Sequence, residues 1–309
     1  MALEETGSIA KAAERVGGSP SSVSQSITAL EQAVGARLFD RKARPVTLTP
    51  SGQVLRPHAH KILEAVAEAR LGMAEFNMTT LPQLNLAIID DLDATLTPLL
   101  VSNLRNRFNN CFVSTFSGRS DTIIEKLKTR QADIAVTSEL PSDINAYRVL
   151  AVLREPFVLV TARGVVKDGQ ATREHLADLP FVQYSEAMPI GRDISRHLKR
   201  LRFNTSRQFA FEASRSVLAM VAQAKGWTIT TPLNILDGER FLPELDILPL
   251  PFPGFFRKIY LVARADELGL LPDQLAADCR DIISQLIIPR FASLAPSSGL
   301  AIETIEADE

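Results

Sequence analysis

A turn between two short helices is the feature that most constrains how this chain can fold. Composition alone would make the serine-rich stretch "GGSPSSVSQSI", residues 17–27, a linker. Apolar residues recur at helical spacing from Ile9 to Val16, however, and the glycine pair that follows is typical of a helix end. Ser19 followed by Pro20 is typical of an N-cap with proline at the first helical position. The stretch is therefore predicted to be a tight turn and the start of a second helix.

The second helix is predicted to have one apolar stripe and an uncharged polar face, and to end near Gly35. The stripe falls at i, i+4, i+7 and i+11: Val23, Ile27, Leu30 and Val34. The opposite face carries polar side chains that can donate and accept hydrogen bonds: Ser21, Gln25, Thr28 and Gln32, flanked by Ser22 and Ser24. This pattern predicts a helix-turn-helix with a recognition helix. A small helical hairpin whose polar face only meets water remains an alternative at this point.

The next segment, "RLFDRKARPVTLTPSG", predicts a short basic β-ribbon, or wing. Leu38 and Phe39 are its predicted core anchors, and three basic residues follow around a turn: Arg41, Lys42 and Arg44. Residues 1–60 hold seven Lys or Arg against five Asp or Glu, whereas the whole chain has a formal charge of −2. Positive charge concentrated at the wing suits the phosphate backbone of nucleic acid.

A long helix is predicted after the wing, capped by Thr49 or Ser51. Its partial apolar seam, with Leu55 at one end and Met73 at the other, needs a partner helix. Dimerisation would supply one; packing on the helix's own domain is the alternative.

From Leu84 onward, strands alternate with helices, which predicts an α/β architecture with a largely parallel sheet. The predicted strands are LNLAIID, CFVSTF, ADIAVT, FVLVTA, FVQY, QFAFEA, WTIT and IYLVAR. These are more strands than one sheet of this size needs, so we expect two lobes with a cleft between them. The chain is predicted to return to the first lobe near "FFRKIYLVAR", and the small, acidic stretch after Phe291 is expected to be mobile.

Several classes of protein are disfavoured by the sequence. No apolar run approaches the roughly 18 residues of a membrane span, and the first ten residues carry acids where a secretory signal needs bases. The two cysteines form no metal or disulfide motif, and the four histidines form no recognisable triad. Phosphate-loop, nucleophile-elbow and HExxH motifs are missing. We therefore expect a cytoplasmic protein that is not an enzyme and has no metal and no cofactor.

The N-terminal segment resembles the winged helix-turn-helix of the LysR-type transcriptional regulators of bacteria. The resemblance rests on residues at the family's spacing: Ala12, Ala13, Ser24, Ile27, Leu30, Glu31, Gly35, Leu38, Phe39, Arg41, Leu48, Thr49 and Gly52. The segment differs from the pattern of the family in two respects. The family's first helix normally begins about a dozen residues earlier, so that Met1 falls inside it, and Pro20 stands where the family often has glutamine.

The resemblance implies a sequence-specific DNA-binding regulator that forms a homodimer and a homotetramer and responds to a small effector. It also implies an effector domain similar to periplasmic solute-binding proteins. The expected segments are a DNA-binding domain over 1–56 with a truncated first helix, a linker and dimerisation helix over 57–80, an effector domain over 81–290 and a flexible tail over 291–309. Within the effector domain, lobe I is expected at about 84–156 and 258–290, and lobe II at about 157–257. A solute-binding receptor without DNA function is the alternative.

Two sets of site residues are predicted. DNA contacts are assigned to the front of the recognition helix and to the wing: Ser21, Ser22, Ser24, Gln25, Thr28, Arg41, Lys42 and Arg44. Effector contacts are assigned to strand ends and helix starts, where ligands of open α/β sheets bind: Asp90, Asp91, Thr95, Ser117, Gly118, Ser120, Thr137, Ser138, Ser185, Arg192, Ser214 and Thr231.

The expected effector is a carboxylate or a zwitterion. Helix N-termini at the strand ends favour a carboxylate. Three acids at the first strand end, Asp90, Asp91 and Asp93, favour an amine or several hydroxyls, or else simply face solvent. Arg192 is the predicted counter-charge for a carboxylate, so a zwitterion would reconcile the two features.

Overall fold

The computed structural model describes residues 2–41, 43, 45–59, 61–62, 82–108, 111–166, 171–295 and 300–305. The chain divides into two compact units, Met1–Met73 and Ala74–Glu309. Most of the predicted linker helix over 57–80 lies outside the described residues, as do Lys42 and Arg44.

The N-terminal unit consists of helices joined to a two-stranded ribbon. Its elements are α1 (Ala2–Thr6), α2 (Ile9–Arg15), α3 (Pro20–Val34), the antiparallel strands β1 (Phe39–Asp40) and β2 (Thr47–Leu48), and α4, which starts at residue 50 and is described over 50–59 and 61–62. Thr49 caps α4, because its hydroxyl accepts a hydrogen bond from the Gly52 N–H at 3.1 Å. The core of the unit is small and is formed by Leu3, Ala12, Leu38 and Phe39.

The predicted turn and cap before α3 are confirmed. Ser19 accepts a hydrogen bond from the Ser22 N–H and donates its own N–H to the Ser22 hydroxyl, so the two residues form a reciprocal capping box. Gly35 ends the helix with a left-handed φ of +69°. The predicted stripe is only half buried: Val23 and Ile27 pack on the core, whereas Leu30 and Val34 are 46% and 43% exposed.

Lobe I of the C-terminal unit contains a six-stranded mixed sheet. Its strands are β3 (Gln83–Ile89), β4 (Phe112–Gly118), β5 (Ile134–Thr137), β6 (Tyr147–Pro156), β12 (Phe256–Arg264) and β13 (Glu303–Thr304). They lie in the order β13-β6-β12-β5-β3-β4. Its helices are α5 (Asp90–Arg107), α6 (Ser120–Lys128), α11 (Leu271–Ile282) and α12 (Ile288–Leu294).

Lobe II contains a five-stranded mixed sheet. Its strands are β7 (Val158–Ala162), β8 (Phe181–Tyr184), β9 (Arg207–Phe211), β10 (Trp227–Thr230) and β11 (Leu245–Leu248). They lie in the order β11-β7-β10-β8-β9. Its helices are α7 (Arg173–Ala177), α8 (Pro189–Arg200), α9 (Ser214–Ala224) and α10 (Pro232–Asp237). The chain passes between the lobes twice, from β6 to β7 and from β11 to β12, which confirms the predicted two-lobed architecture.

Two expectations about the C-terminal unit are wrong. The sheets are not largely parallel, because β6, β7, β11, β12 and β13 pair antiparallel with their neighbours. The segment after Phe291 is not a free tail where it is described. Phe291 and Ile302 are 2% and 4% exposed, and β13 extends the lobe I sheet by pairing with β6. Apolar side chains hold this segment against the lobe.

Candidate functional site

The polar face of α3 divides into a capping part and a free part. Ser22 is used by the capping box, and the Ser21 hydroxyl lies 2.9 Å from that of Ser19. Within the part of the chain that the structure describes, the side chains of Ser24 and Gln25 have no hydrogen-bond partner. Gln25 is exposed, so its amide can donate and accept hydrogen bonds at an outside surface.

The wing is joined to this face through Arg41. Its Nη2 donates to the Thr28 hydroxyl at 3.0 Å and to a Glu31 carboxylate oxygen, also at 3.0 Å. Sequence reasoning placed Thr28 and Arg41 in the site but gave Glu31 no role. Thr28 and Arg41 are brought together, although they are thirteen residues apart.

A cavity of about 420 Å³ lies between the two sheets of the C-terminal unit. Seven of the predicted effector residues line it: Asp90, Asp91, Ser117, Gly118, Ser120, Ser138 and Ser214. Strand ends and helix starts of both lobes therefore meet at this cavity, as the α/β pattern predicts.

Five predicted effector residues do not line the cavity: Thr95, Thr137, Ser185, Arg192 and Thr231. The hydroxyls of the four Ser and Thr residues in this set form hydrogen bonds within the protein instead. Thr95 donates to the Leu92 carbonyl, while Thr137 and Ser185 accept backbone N–H groups from Glu139 and Ala187. The Thr231 hydroxyl is fully buried and accepts from Arg257 and Asn234.

Arg192 connects the two lobes and does not face the cavity. Its Nη2 lies 2.8 Å from a Glu139 oxygen, which ties α8 of lobe II to the end of β5 in lobe I. Its Nη1 donates to the Ala187 carbonyl at 2.9 Å, and Arg119 of lobe I donates to the same carbonyl at 2.7 Å. The expected counter-charge for an effector carboxylate is thus used to join the lobes.

Arg257 is a buried charged residue in the lining of the cavity, and it is not among the residues predicted from the sequence. Its side chain is 8% exposed and contacts the Glu155 and Asp91 carboxylates and the Thr231 hydroxyl. Burial alone would lower the pKa of Arg257, but the two carboxylates outweigh it and raise this pKa above its ordinary value. Arg257 therefore remains charged at the junction of the lobes.

The cavity lining has a surplus of negative charge. Each of its arginines, Arg119, Arg215 and Arg257, already pairs with a carboxylate. Among the described residues, Asp90, Asp93 and Glu212 line the cavity without forming a salt bridge to Arg or Lys, although the Glu212 charge acts on Arg119. Asp90 and Asp93 accept only hydroxyl hydrogen bonds, from Ser117 and Thr97. An occupant with hydrogen-bond donors or positive charge fits this lining best.

Two family models match the chain. Residues 1–53 match the bacterial regulatory helix-turn-helix protein model of the lysR family, and residues 80–281 match the LysR substrate binding domain. The chain belongs to the LysR family of transcriptional regulators. This LysR-family protein is a DNA-binding regulator with an effector-binding domain, and its family consists of regulators, not enzymes. The alternative of a receptor without DNA function is not supported.

Relatives of this regulator include other members of the family. It is 25% identical over 276 residues, 88% of this chain and 89% of the relative, to a probable nitrogen assimilation transcriptional activator of Synechococcus elongatus. It is 32% identical over 188 residues to the transcriptional regulator IlvR of Caulobacter vibrioides, covering 59% of this chain and 62% of the relative.

Solved structures show the same fold. The oxidized form of OxyR from Corynebacterium glutamicum matches with a TM-score of 0.56 at 21% identity, over 94% of this chain and 91% of the other. The LysR family regulator CbnR matches with a TM-score of 0.52 at 17% identity, over 90% and 96% of the two chains. In the described part of the regulator, no helix is long and apolar enough to cross a membrane.

Proposed function

We propose that this regulator reads operator DNA with the free part of the α3 polar face and binds a small zwitterion in the cleft between its lobes. The observation that carries the DNA-reading proposal is the exposed, uncommitted amide of Gln25 between Ser24 and Thr28. An amide at the front of a recognition helix can bond bidentately to adenine N6 and N7 in the major groove. Lys42 and Arg44 of the wing contribute contacts to phosphate or to the minor groove, whereas Arg41 is held beside Thr28 at the polar face of α3.

A mobility-shift titration on the intergenic DNA beside this regulator's own gene tests the DNA-reading proposal. The Gln25→Ala, Thr28→Ala double variant is expected to lose specific binding. The matched control is Ser26→Ala, because Ser26 is exposed on the same helix but lies off the polar face. Equal binding by the wild-type chain and the double variant would contradict the proposal.

The proposed zwitterion follows from the charges around the cavity. Its amine would face Asp90, Asp93 and Glu212, the lining carboxylates that form no salt bridge to Arg or Lys among the described residues. Its carboxylate would face the N-terminus of the nine-residue helix α6, near the Ser120 and Ser138 hydroxyls. Calorimetric titration of the full chain with amino acids, simple amines and dicarboxylates tests this. Tight binding of plain dicarboxylates, with no need for an amine, would refute it.

We also propose that the regulator works in the cytoplasm as a homodimer and homotetramer paired through the linker helix. The support is on α4, where Val54 and Ile62 lie eight residues apart within one broad apolar face of the helix and are 69% and 62% exposed. Sedimentation of the full chain measures its assembly. A monomer at micromolar concentration would contradict pairing.

A further inference from the structure

Glu31 is placed where α3 meets the wing. One carboxylate oxygen accepts the backbone N–H of Leu38 at 2.8 Å and that of Phe39 at 3.2 Å. Its side chain is 12% exposed. Burial opposes its charge, but the two N–H groups and Arg41 outweigh burial and hold the pKa of Glu31 below its ordinary value. The carboxylate therefore stays charged and fixes the start of β1 against the recognition helix.

The second oxygen of Glu31 holds Arg41. The Arg41 Nη2 that donates to this oxygen also donates to the Thr28 hydroxyl, each at 3.0 Å. Arg41 is nonetheless 43% exposed, and its other guanidinium nitrogens keep N–H groups that can donate to DNA. A free arginine on a surface samples many rotamers, and ordering its side chain on binding costs rotamer entropy. Glu31 orders this guanidinium before DNA arrives.

The same contacts limit what Thr28 can offer to DNA. Its hydroxyl donates its single hydrogen to the Ser24 carbonyl at 2.9 Å and accepts one bond from Arg41. It can therefore present a methyl group and one acceptor lone pair, but no donor. The donors at this position belong to Arg41, and the commonest specific contact of arginine is with guanine O6 and N7.

We infer that Glu31 is a positioning residue for DNA reading: it holds the Arg41 guanidinium beside Thr28 so that the two side chains meet base edges as one unit. This inference rests on the proposed DNA-reading face. Arg41 then contributes sequence discrimination, and its charge, already neutralised by Glu31, contributes little to binding of random DNA.

Glu31→Gln in the full chain tests this role. The amide oxygen of glutamine can still accept the Leu38 and Phe39 N–H groups, so the wing keeps its anchor, while the charged partner of Arg41 is lost. Fluorescence anisotropy compares two duplexes of equal length: one enriched by the wild-type chain from a random library, and one of random sequence. We expect the Kd for the enriched duplex to rise about tenfold, the effect of losing one good base contact, and the Kd for random DNA to change less than about threefold.

A double-mutant cycle separates positioning from general structural damage. In an Arg41→Ala background, Glu31→Gln is expected to change the Kd for the enriched duplex by less than about twofold, since the group that Glu31 positions is gone. The salt dependence of binding to random DNA should not become shallower, because no phosphate contact is lost when the Glu31 carboxylate is removed. Equal weakening on both duplexes, unchanged or tighter binding of the enriched duplex, or a full effect in the Arg41→Ala background would each overturn the inference. Failure of the wild-type chain to enrich any sequence would contradict the proposed function itself.

Discussion

Replacing Arg257 with leucine is predicted to destabilise the effector domain in a way that depends strongly on pH. Arg257 and Glu155 face each other in the register of β12 and β6, and the Glu155 side chain is 0% exposed. Arg257→Leu removes the cation and leaves Glu155 with one hydrogen bond to a neighbouring backbone, from the Leu233 N–H at 3.0 Å. Breaking a buried pair by removing one partner typically costs about 3–5 kcal/mol.

The protonation of Glu155 sets a bound on how much the free energy of unfolding falls in Arg257→Leu. Burial acts to raise the pKa of Glu155 from its ordinary value of 4.5, and Arg257 acts to lower it. Without Arg257 the carboxyl group takes up a proton, which costs about 1.4 kcal/mol per pH unit above 4.5. The cost from Glu155 is therefore at most about 3.5 kcal/mol at pH 7 and at most about 1.4 kcal/mol at pH 5.5. A carboxyl group whose pKa is higher in the folded than in the unfolded protein binds its proton more tightly when folded, so the fold becomes less stable as the pH rises. The free energy of unfolding of the variant should therefore fall relative to that of wild type as the pH rises.

Urea unfolding followed through Trp227 measures this effect. Trp227 is the single tryptophan of the chain, is fully buried in lobe II and donates its indole N–H to the Leu176 carbonyl. The control is Arg257→Leu, Glu155→Leu, which removes the stranded carboxyl and should recover most of the free energy of unfolding at pH 7.

A loss for Arg257→Leu that is the same at pH 5.5 and pH 7 would refute this account of the pair. A double variant as unstable as the single one would refute it as well.

Two further predictions follow from buried groups elsewhere. Burial and Arg200 lower the pKa of His197, outweighing the opposite effect of the Pro253 carbonyl, so wild-type stability should fall as pH drops below about 6.5. His197→Phe can keep the ring stack on Phe255 and should make the free energy of unfolding by urea depend less on pH between 5.5 and 7.5. The same pH dependence in wild type and variant would contradict this prediction. Ile302→Ala should lower the free energy of opening β13 by about 2 kcal/mol or more and speed exchange of the Ile305 amide, whose N–H donates to the Val152 carbonyl of β6 at 3.3 Å. Exchange at the wild-type rate would show that β13 is not held by this side chain.

Features that depend on a few neighbouring residues could be predicted from the sequence. The N-cap at Ser19, the glycine end of α3 and the strand–helix order of the effector domain all follow from local patterns. The cleft residues at strand ends, such as Ser120 and Ser214, follow from the same patterns because parallel strands end at one edge.

Features that depend on pairing across the chain could not be predicted. Arg257 lies in an apolar strand, and its role becomes visible only when β12 is placed antiparallel beside β6, which brings it opposite Glu155. The position of Arg192 suggested a ligand contact, but the facing lobe supplies Glu139 as its partner. The tail composition likewise concealed β13, which pairs with the edge of an existing sheet and is flanked by two buried residues, Ile302 and Ile305.

The α3 polar face is proposed to read bases, with Gln25 on adenine. This proposal is tested by the Kd of the wild-type chain and of Gln25→Ala on a set of duplexes that each replace one base pair of an enriched sequence. Wild type is expected to discriminate at one A·T pair by about 1–3 kcal/mol, and Gln25→Ala is expected to lose the discrimination at that pair alone. Unchanged discrimination at every position in Gln25→Ala would show that Gln25 reads no base.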